Sequence, residues 1–286
     1  MPVGGQAVIE GVMLQNGHRV AVAVRTPDGG IAVEPLTGVR GCRRLRKIPF
    51  LRGPVRLYEM LSLGIKALNL SARLAYGEEA AGSRWDLLLT VALAVALVGG
   101  GFVALPVYLT GLIRIPNRVL FNLAEGGIRV FLFFLYLYAI SFMRDIRRVF
   151  QYHGAEHKVV HAYEEGKPTL EVARAKSPLH PRCGTAFLLL FVAISILVFS
   201  LLPTDSIWLK ILGRILLLPV VAGIAYEVLM LGGRHPDAWW MRPFLLPGLW
   251  LQRLTTREPT EDQIEVALAA LRYVTEHKAE SRSTTS

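Results

Sequence analysis

The pattern of apolar residues divides the chain into short alternating runs near the N-terminus and long apolar runs further on. Alternation over 18–25 and 31–34 predicts two β-strands, joined by a turn at 27–30. The preceding run, 4–13, sets paired glycines and one acid among apolar residues. This composition favours either a strand with a glycine bulge or a close backbone approach to another element. We therefore expect a small β unit at the N-terminus.

Four apolar runs predict transmembrane helices at 85–109, 127–142, 185–202 and 207–231. The second run is short, so its helix is expected to begin near Val119, with Asn122 and Glu125 at the outer interface. An amphipathic helix over 54–76 is predicted either to lie in the headgroup layer or to pack on the spans. Tryptophans, leucines and prolines after 231 are typical of an interfacial segment rather than a fifth span.

These elements predict a mainly α, multi-pass membrane protein with about four transmembrane helices, a small N-terminal β-hairpin unit, and cytoplasmic or interfacial helices. The predicted units, in chain order, are a cytoplasmic β unit at 1–47, an amphipathic interfacial helix at 48–80, transmembrane helices one and two at 81–143, a histidine-rich helical loop at 144–183, a transmembrane hairpin at 184–231, and an interfacial segment with a C-terminal helix at 232–286.

Composition and charge agree with a membrane protein. Mean hydropathy is +0.41 and the formal net charge is +10, which is typical of a protein whose basic residues crowd one side of a bilayer. Arginine is concentrated in the first 84 residues and over 144–182, so the positive-inside rule places both termini and the central loop in the cytoplasm. The expected partner is the lipid bilayer. Nucleic acid is not expected, since the arginines lie beside apolar spans and no nucleic-acid motif is recognised.

Two cysteines do not make a disulfide framework. The N-terminal residues lack a basic n-region, so insertion through the internal spans is expected.

The chemistry is concentrated in the stretch 151–165, QYHGAEHKVVHAYEE. On a helix its three histidines, His153, His157 and His161, fall within about 80° of arc, and Glu164 returns to the same face. The segment from His153 to His157 also reads H-x-x-E-H, the inverted zincin pattern. In that pattern two histidines one turn apart bind a metal and the glutamate, here Glu156, is the general base. A solvated polar face at the membrane surface is the alternative.

Four residues elsewhere could complete such a site. His180 and Cys183 directly precede the third span, and thiolate and imidazole both suit zinc, although Cys183 could equally be a small buried apolar residue. Glu227 lies near the cytoplasmic end of the fourth span, where it is either a further metal ligand or an interfacial acid paired with arginine. Glu10, in the glycine-flanked run, is expected to reach the metal or a ligating histidine from the second shell.

Several of these residues carry a resemblance to a known family. The segments GGQAVIEGVM (4–13), YHGAEHK (152–158), HPRCGT (180–185) and PGLWLQ with TTREP (247–259) resemble the YqhQ-like family of bacterial multi-pass membrane proteins. The resemblance covers nearly the whole chain and implies a bacterial inner-membrane protein with a metal site, since the family is described as predicted metal-dependent enzymes. It implies no substrate.

The sequence thus predicts a metal-dependent, peptidase-like membrane hydrolase with a divalent metal, expected to be zinc. His153 and His157 bind the metal, Glu156 is the base, and Glu164 or Glu227 completes the shell; His161 is either a second-shell partner or a ligand. The alternative is a non-enzymatic membrane scaffold, assembly factor or regulator with a structural polar or metal site. A transporter has little support, because no repeat of the two halves is visible.

Overall fold

The structure, a computed structural model, describes residues 3–38, 45, 48–77, 84–180, 183–202, 206–234, 239 and 242–276. Most of the arginine- and lysine-rich segment 40–47, and residues 203–205 between the third and fourth predicted spans, lie outside this part. The helices are α1 (Arg52–Tyr76), α2 (Arg84–Val98), a π-helical segment (Gly99–Ala104), α3 (Leu105–Leu112), α4 (Arg118–Ile140), α5 (Arg144–Glu164), α6 (Leu170–Ala175), α7 (Thr185–Ser200), α8 (Ile207–Arg234), α9 (Arg242–Thr255) and α10 (Glu261–Glu276).

The N-terminal unit is a four-stranded antiparallel sheet in the order β1-β2-β3-β4. The strands are β1 (Gly4–Val8), β2 (Gly11–Asn16), β3 (Arg19–Arg25) and β4 (Ile31–Pro35), so the two strands predicted from alternation are confirmed. The run 4–13 is not one bulged strand. It forms a hairpin instead, in which Val8 pairs with Gly11 and Glu10 takes a positive φ of 51° in the turn.

Both faces of this sheet are buried, because strand side chains alternate between two helical layers. On one face Met13 and Val22 pack with Leu63 and Ala67 of α1. The opposite face packs on α5 and α10 through a cluster that includes Val12, Leu14, Ala155, Val159, Ala267 and Leu271. The amphipathic helix α1 therefore covers the sheet, and the sheet fixes the position of α5.

Three helices of the described chain are long and apolar enough to cross a membrane: Leu88–Leu112, Val119–Ile140 and Trp208–Leu231. The first is a continuous apolar helix made of α2, the π-helical segment and α3. The remaining predicted span corresponds to the apolar helix Phe187–Ser200, which is shorter. It packs along α8 through Ile194, Phe199, Val221 and Ala225.

A buried ionic network connects these apolar helices. Glu125 of α4 forms ion pairs with Arg129 on the same helix and with Arg214 of α8, and Arg214 Nη2 lies 2.6 Å from Glu125 Oε2. Arg129 also donates from Nη1 to Ser195 Oγ at 3.1 Å and from Nε to the carbonyl of Phe102, in the π-helical segment, at 2.9 Å. Glu125 is therefore buried between helices, and its position at the outer interface of the membrane stays a prediction.

Candidate metal centre

Helix α5 carries the three predicted histidines on one face, one turn apart. The ring centroids of His153 and His157 are 4.4 Å apart, and the ring of His180, from the loop before α7, lies 4.4 Å from that of His161. The four imidazoles therefore form a continuous row at the junction of the sheet unit and the apolar helices. They divide into two groups of candidate ligands, each with one further side chain.

The first group consists of His153, His157 and Cys183, whose candidate ligand atoms all lie within 4.8 Å of one another. His153 Nε2 is 3.2 Å from Cys183 Sγ. Two imidazoles and one thiol are a donor set that zinc accepts, and three protein ligands are the number typical of catalytic zinc sites.

Both imidazoles of the first group are oriented by backbone carbonyls. The Nδ1–H of His153 donates to Thr255 O at 2.8 Å, and the Nδ1–H of His157 donates to Pro178 O at 2.6 Å. Because a carbonyl only accepts hydrogen bonds, the proton is assigned to Nδ1 and the lone pair to Nε2. Metal-ligating histidines almost always donate their other N–H in this way, so the donor set fits a metal ion.

Glu156 is buried beside His157, with Oε2 3.5 Å from His157 Nε2. Burial raises the pKa of the Glu156 carboxyl to about 7, while the charge of His153 and a hydrogen bond from the Gly5 backbone N–H act in the opposite direction. Burial also lowers the pKa of His157 to about 3 and raises the pKa of the Cys183 thiol. The imidazole of His157 is thus neutral at pH 7, the form that binds metals.

The second group consists of His161, Glu164 and His180, whose candidate ligand atoms also lie within 4.8 Å of one another. His161 Nε2 donates to Leu179 O at 3.0 Å, and His180 Nε2 lies 3.6 Å from Glu164 Oε2. Burial, followed by the charge of His161, lowers the pKa of His180 to about 4.

A cavity of about 520 Å³ gives access to these groups. Its wall includes Glu156, His157, His180 and Cys183, together with Gly4 and Gly5 of β1 and Arg56 and Met60 of α1. The candidate base and members of both histidine groups therefore border one space between the sheet unit and the beginning of α7.

The end of α9 and the residues that follow it hold the site in place. Gln252 is fully buried, and its amide accepts from His180 N at 2.8 Å and donates to His180 O at 2.9 Å. Arg257 N donates to Phe150 O at 2.9 Å, and a Cβ at Gly154 would lie 2.2 Å from Arg257 O. Gly154 therefore lets this segment cross α5 closely enough for Thr255 O to reach His153.

Lys158 is a further polar residue of α5 whose partners lie outside the histidine face. It is almost fully buried, donates to Arg174 O at 2.9 Å, and pairs with the carboxylate of Glu258. This pair ties α5 to the segment after α9.

Glu227 is not part of either group. Its carboxylate accepts from the guanidinium of Arg52 and from the backbone N–H of Phe50 at 3.1 Å, and it borders a separate cavity with Ile224 and Met230. Its side chain faces the start of α1. The alternative interpretation, an acid paired with arginine, describes its contacts, and we no longer assign it as a ligand.

Glu10 also has other partners. The segment Gly4–Glu10 does pack on α5, yet the Glu10 carboxylate pairs with Arg148 and lies 3.4 Å from Tyr152 Oη, before the histidine face begins. The contact with the site is made instead by Gly5, whose N–H reaches Glu156. The second-shell role predicted for Glu10 is therefore replaced by a backbone contact five residues earlier.

Two positioning residues were not predicted: Gly5 as a donor to Glu156 and Gln252 as the residue that holds His180. Both lie inside segments that the sequence analysis quoted, GGQAVIEGVM and PGLWLQ. Of the four quoted segments, YHGAEHK lies within α5, and residues of the other three contact that helix. In the sequence, the signal that could have found these two residues is that they belong to segments quoted together with the histidines.

Comparison with known proteins gives a family but no activity. The family described as "Protein of unknown function (DUF1385)" matches residues 48–277. A protein of Bacillus subtilis (strain 168) named "Uncharacterized protein YqhQ" is 38% identical over 289 residues, covering 93% of this chain and 89% of the relative. No solved structure matches the chain.

Proposed function

The chain belongs to the DUF1385 family of proteins of unknown function, and we propose that this member is a metal-dependent hydrolase of the bacterial inner membrane. The main support is the geometry of the first group. The candidate ligand atoms of His153, His157 and Cys183 lie within 4.8 Å of one another, beside the buried carboxylate of Glu156. The proposed metal is zinc, and the activity is peptidase-like by analogy with H-x-x-E-H.

The membrane assignment is supported by the three helices that are long and apolar enough to span a bilayer, and by the apolar side chains exposed along them, such as Leu93, Phe131 and Leu216. We propose four spans, with the shorter α7 as the third. Both termini and α5 are then cytoplasmic, because arginine crowds the segments before α2 and between α4 and α7. The metal centre would lie at the cytoplasmic membrane surface.

In this proposal His153, His157 and Cys183 would hold the metal, the histidines through Nε2 and the cysteine through Sγ. A bound zinc ion supplies Lewis acidity and lowers the pKa of water. Glu156 accepts the proton of the attacking water and returns it to the leaving group of a substrate amide or ester, so no net proton is consumed on the enzyme. The Gly5 N–H beside Glu156 would favour the ionised carboxylate that accepts this proton.

The test uses full-length protein, purified in detergent and loaded with Co²⁺. We expect a thiolate-to-cobalt absorption band that Cys183→Ser abolishes and that His18→Ala, at an exposed histidine of the sheet unit, preserves. Acetohydroxamate, a bidentate ligand of open metal sites, should shift the cobalt spectrum, because catalytic zinc sites keep an open position. Glu156→Gln should retain the band and weaken acetohydroxamate binding by about 10- to 100-fold.

The spectra also separate the two hypotheses for this protein. A cobalt spectrum that acetohydroxamate leaves unchanged would indicate a closed structural site and favour the scaffold or regulator. Absence of any thiolate-to-cobalt band would reject the proposed ligand set itself.

A further inference from the structure

The second histidine group has features of a binding site in its own right. His161 and Glu164 lie three residues apart on α5, and His180 approaches them from the loop before α7. The Nε2–H of His161 is held by Leu179 O, which leaves Nδ1 with the lone pair. His180 is held from its backbone by both polar atoms of the Gln252 side chain.

We propose that His161, Glu164 and His180 bind a second divalent metal, one helical turn along α5 from the first. The donor set of two imidazoles and a carboxylate suits zinc and other borderline metals. It lacks the thiolate of the first group, so the two sites differ in chemistry. This proposal rests on the proposed hydrolase and would make its site a two-metal centre. The second metal site can be disproved while the first still stands.

Geometry supports a site distinct from the first. His157 and His180, which belong to different groups, have ring centroids 5.7 Å apart, against 4.4 Å for the ring pairs within each group. The side chain of Glu164 is 34% exposed while that of His180 is 6% exposed. The second group thus joins a buried imidazole to a carboxylate that reaches solvent, which gives a cation a route of entry.

The alternative explanation is a hydrogen-bonded cluster without a metal, in which Glu164 pairs with His180. That pairing uses one imidazole. The second imidazole, His161, uses only Nε2 for its hydrogen bond to Leu179 O, and its candidate ligand atom is within 4.8 Å of those of both others. A cation shared by the three side chains uses all of them.

The experiment measures metal content of detergent-purified, full-length protein by elemental analysis after dialysis against zinc. We expect about two zinc ions per chain in the native protein and a loss of one in Glu164→Ala and in His161→Ala. Glu165→Ala is the matched control, because Glu165 is the next residue and pairs with Lys176 at 2.5 Å. It should leave the metal content unchanged.

Cobalt spectroscopy assigns the ion that is lost. In Glu164→Ala the thiolate-to-cobalt band should remain, whereas in Cys183→Ser the band disappears and the second ion stays bound. A native protein with one zinc, unaffected by Glu164→Ala or His161→Ala, overturns the second site and leaves the first intact. Zinc lost from these two variants but not from Cys183→Ser or His153→Ala supports the second site and rejects the first.

Discussion

Replacing Glu125 with alanine is expected to lower the free energy of unfolding by about 3–5 kcal/mol, because it leaves two buried guanidinium groups without their counter-ion. The side chains of Glu125, Arg129 and Arg214 are 3%, 6% and 1% exposed. A charge at this depth between apolar helices is costly unless it is paired. Glu125 is the carboxylate that joins both arginines, so its removal breaks two ion pairs together.

The apparent free energy of unfolding can be measured by titrating the purified protein with SDS in mixed micelles. The matched control is Glu261→Ala, which removes an ion pair with Arg174 whose side chains are 53% and 70% exposed. An exposed pair of this kind contributes about 0–1 kcal/mol. If Glu125→Ala lowers the free energy of unfolding as little as Glu261→Ala does, the network does not hold α4 and α8 together.

Part of this network was visible in the sequence. Asn122, Glu125 and Arg129 follow one another at helical spacing on α4, so a polar face was present within an apolar run. The run was interpreted by its length, which placed Glu125 at the interface. Its partner Arg214 lies 89 residues away in the chain. The face of α8 that packs on α4 is set by tertiary packing, and no local sequence pattern shows it.

The sheet unit was more predictable, because two short runs bounded by turn residues were enough to place β3 and β4. Its two covered faces follow from β2 and β3, whose apolar residues continue on both sides of the strand. The hairpin at 9–10 was missed, because Glu10 at positive φ replaces the usual glycine or asparagine of such a turn. The Glu10 carboxylate bound by Arg148 helps to hold this conformation.

For the candidate site, periodicity correctly placed the three histidines on one face of α5. Periodicity could not choose between Cys183 and Glu227 as the next neighbour of that face. Both lie near the same depth of the predicted membrane, and depth does not give the direction in which a side chain points. The carbonyls of Pro178, Leu179 and Thr255 that orient the histidines are backbone atoms, which carry no side-chain signature in a sequence.

Gly5→Ala is expected to destabilise the sheet unit by about 1–3 kcal/mol and to displace Glu156. A Cβ at position 5 would lie 2.3 Å from Met13 O and 2.6 Å from Leu14 Cδ2, both on the neighbouring strand, and 3.3 Å from Glu156 Cγ. Since the first contact is with backbone, β1 must shift relative to β2. The shift moves the Gly5 N–H away from the Glu156 carboxylate, which then loses its backbone donor.

The adjacent glycine supplies the control for this prediction. A Cβ at Gly4 would have no atom within 4 Å, so Gly4→Ala should be neutral or stabilise the protein by about 0.4–1 kcal/mol through the unfolded state. Thermal unfolding in detergent measures both variants, and acetohydroxamate binding to the cobalt form reports on Glu156. We expect Gly5→Ala to lower the melting temperature and weaken acetohydroxamate binding, and Gly4→Ala to do neither. Equal behaviour of the two variants would show that β1 does not approach Glu156 as closely as Gly5 permits.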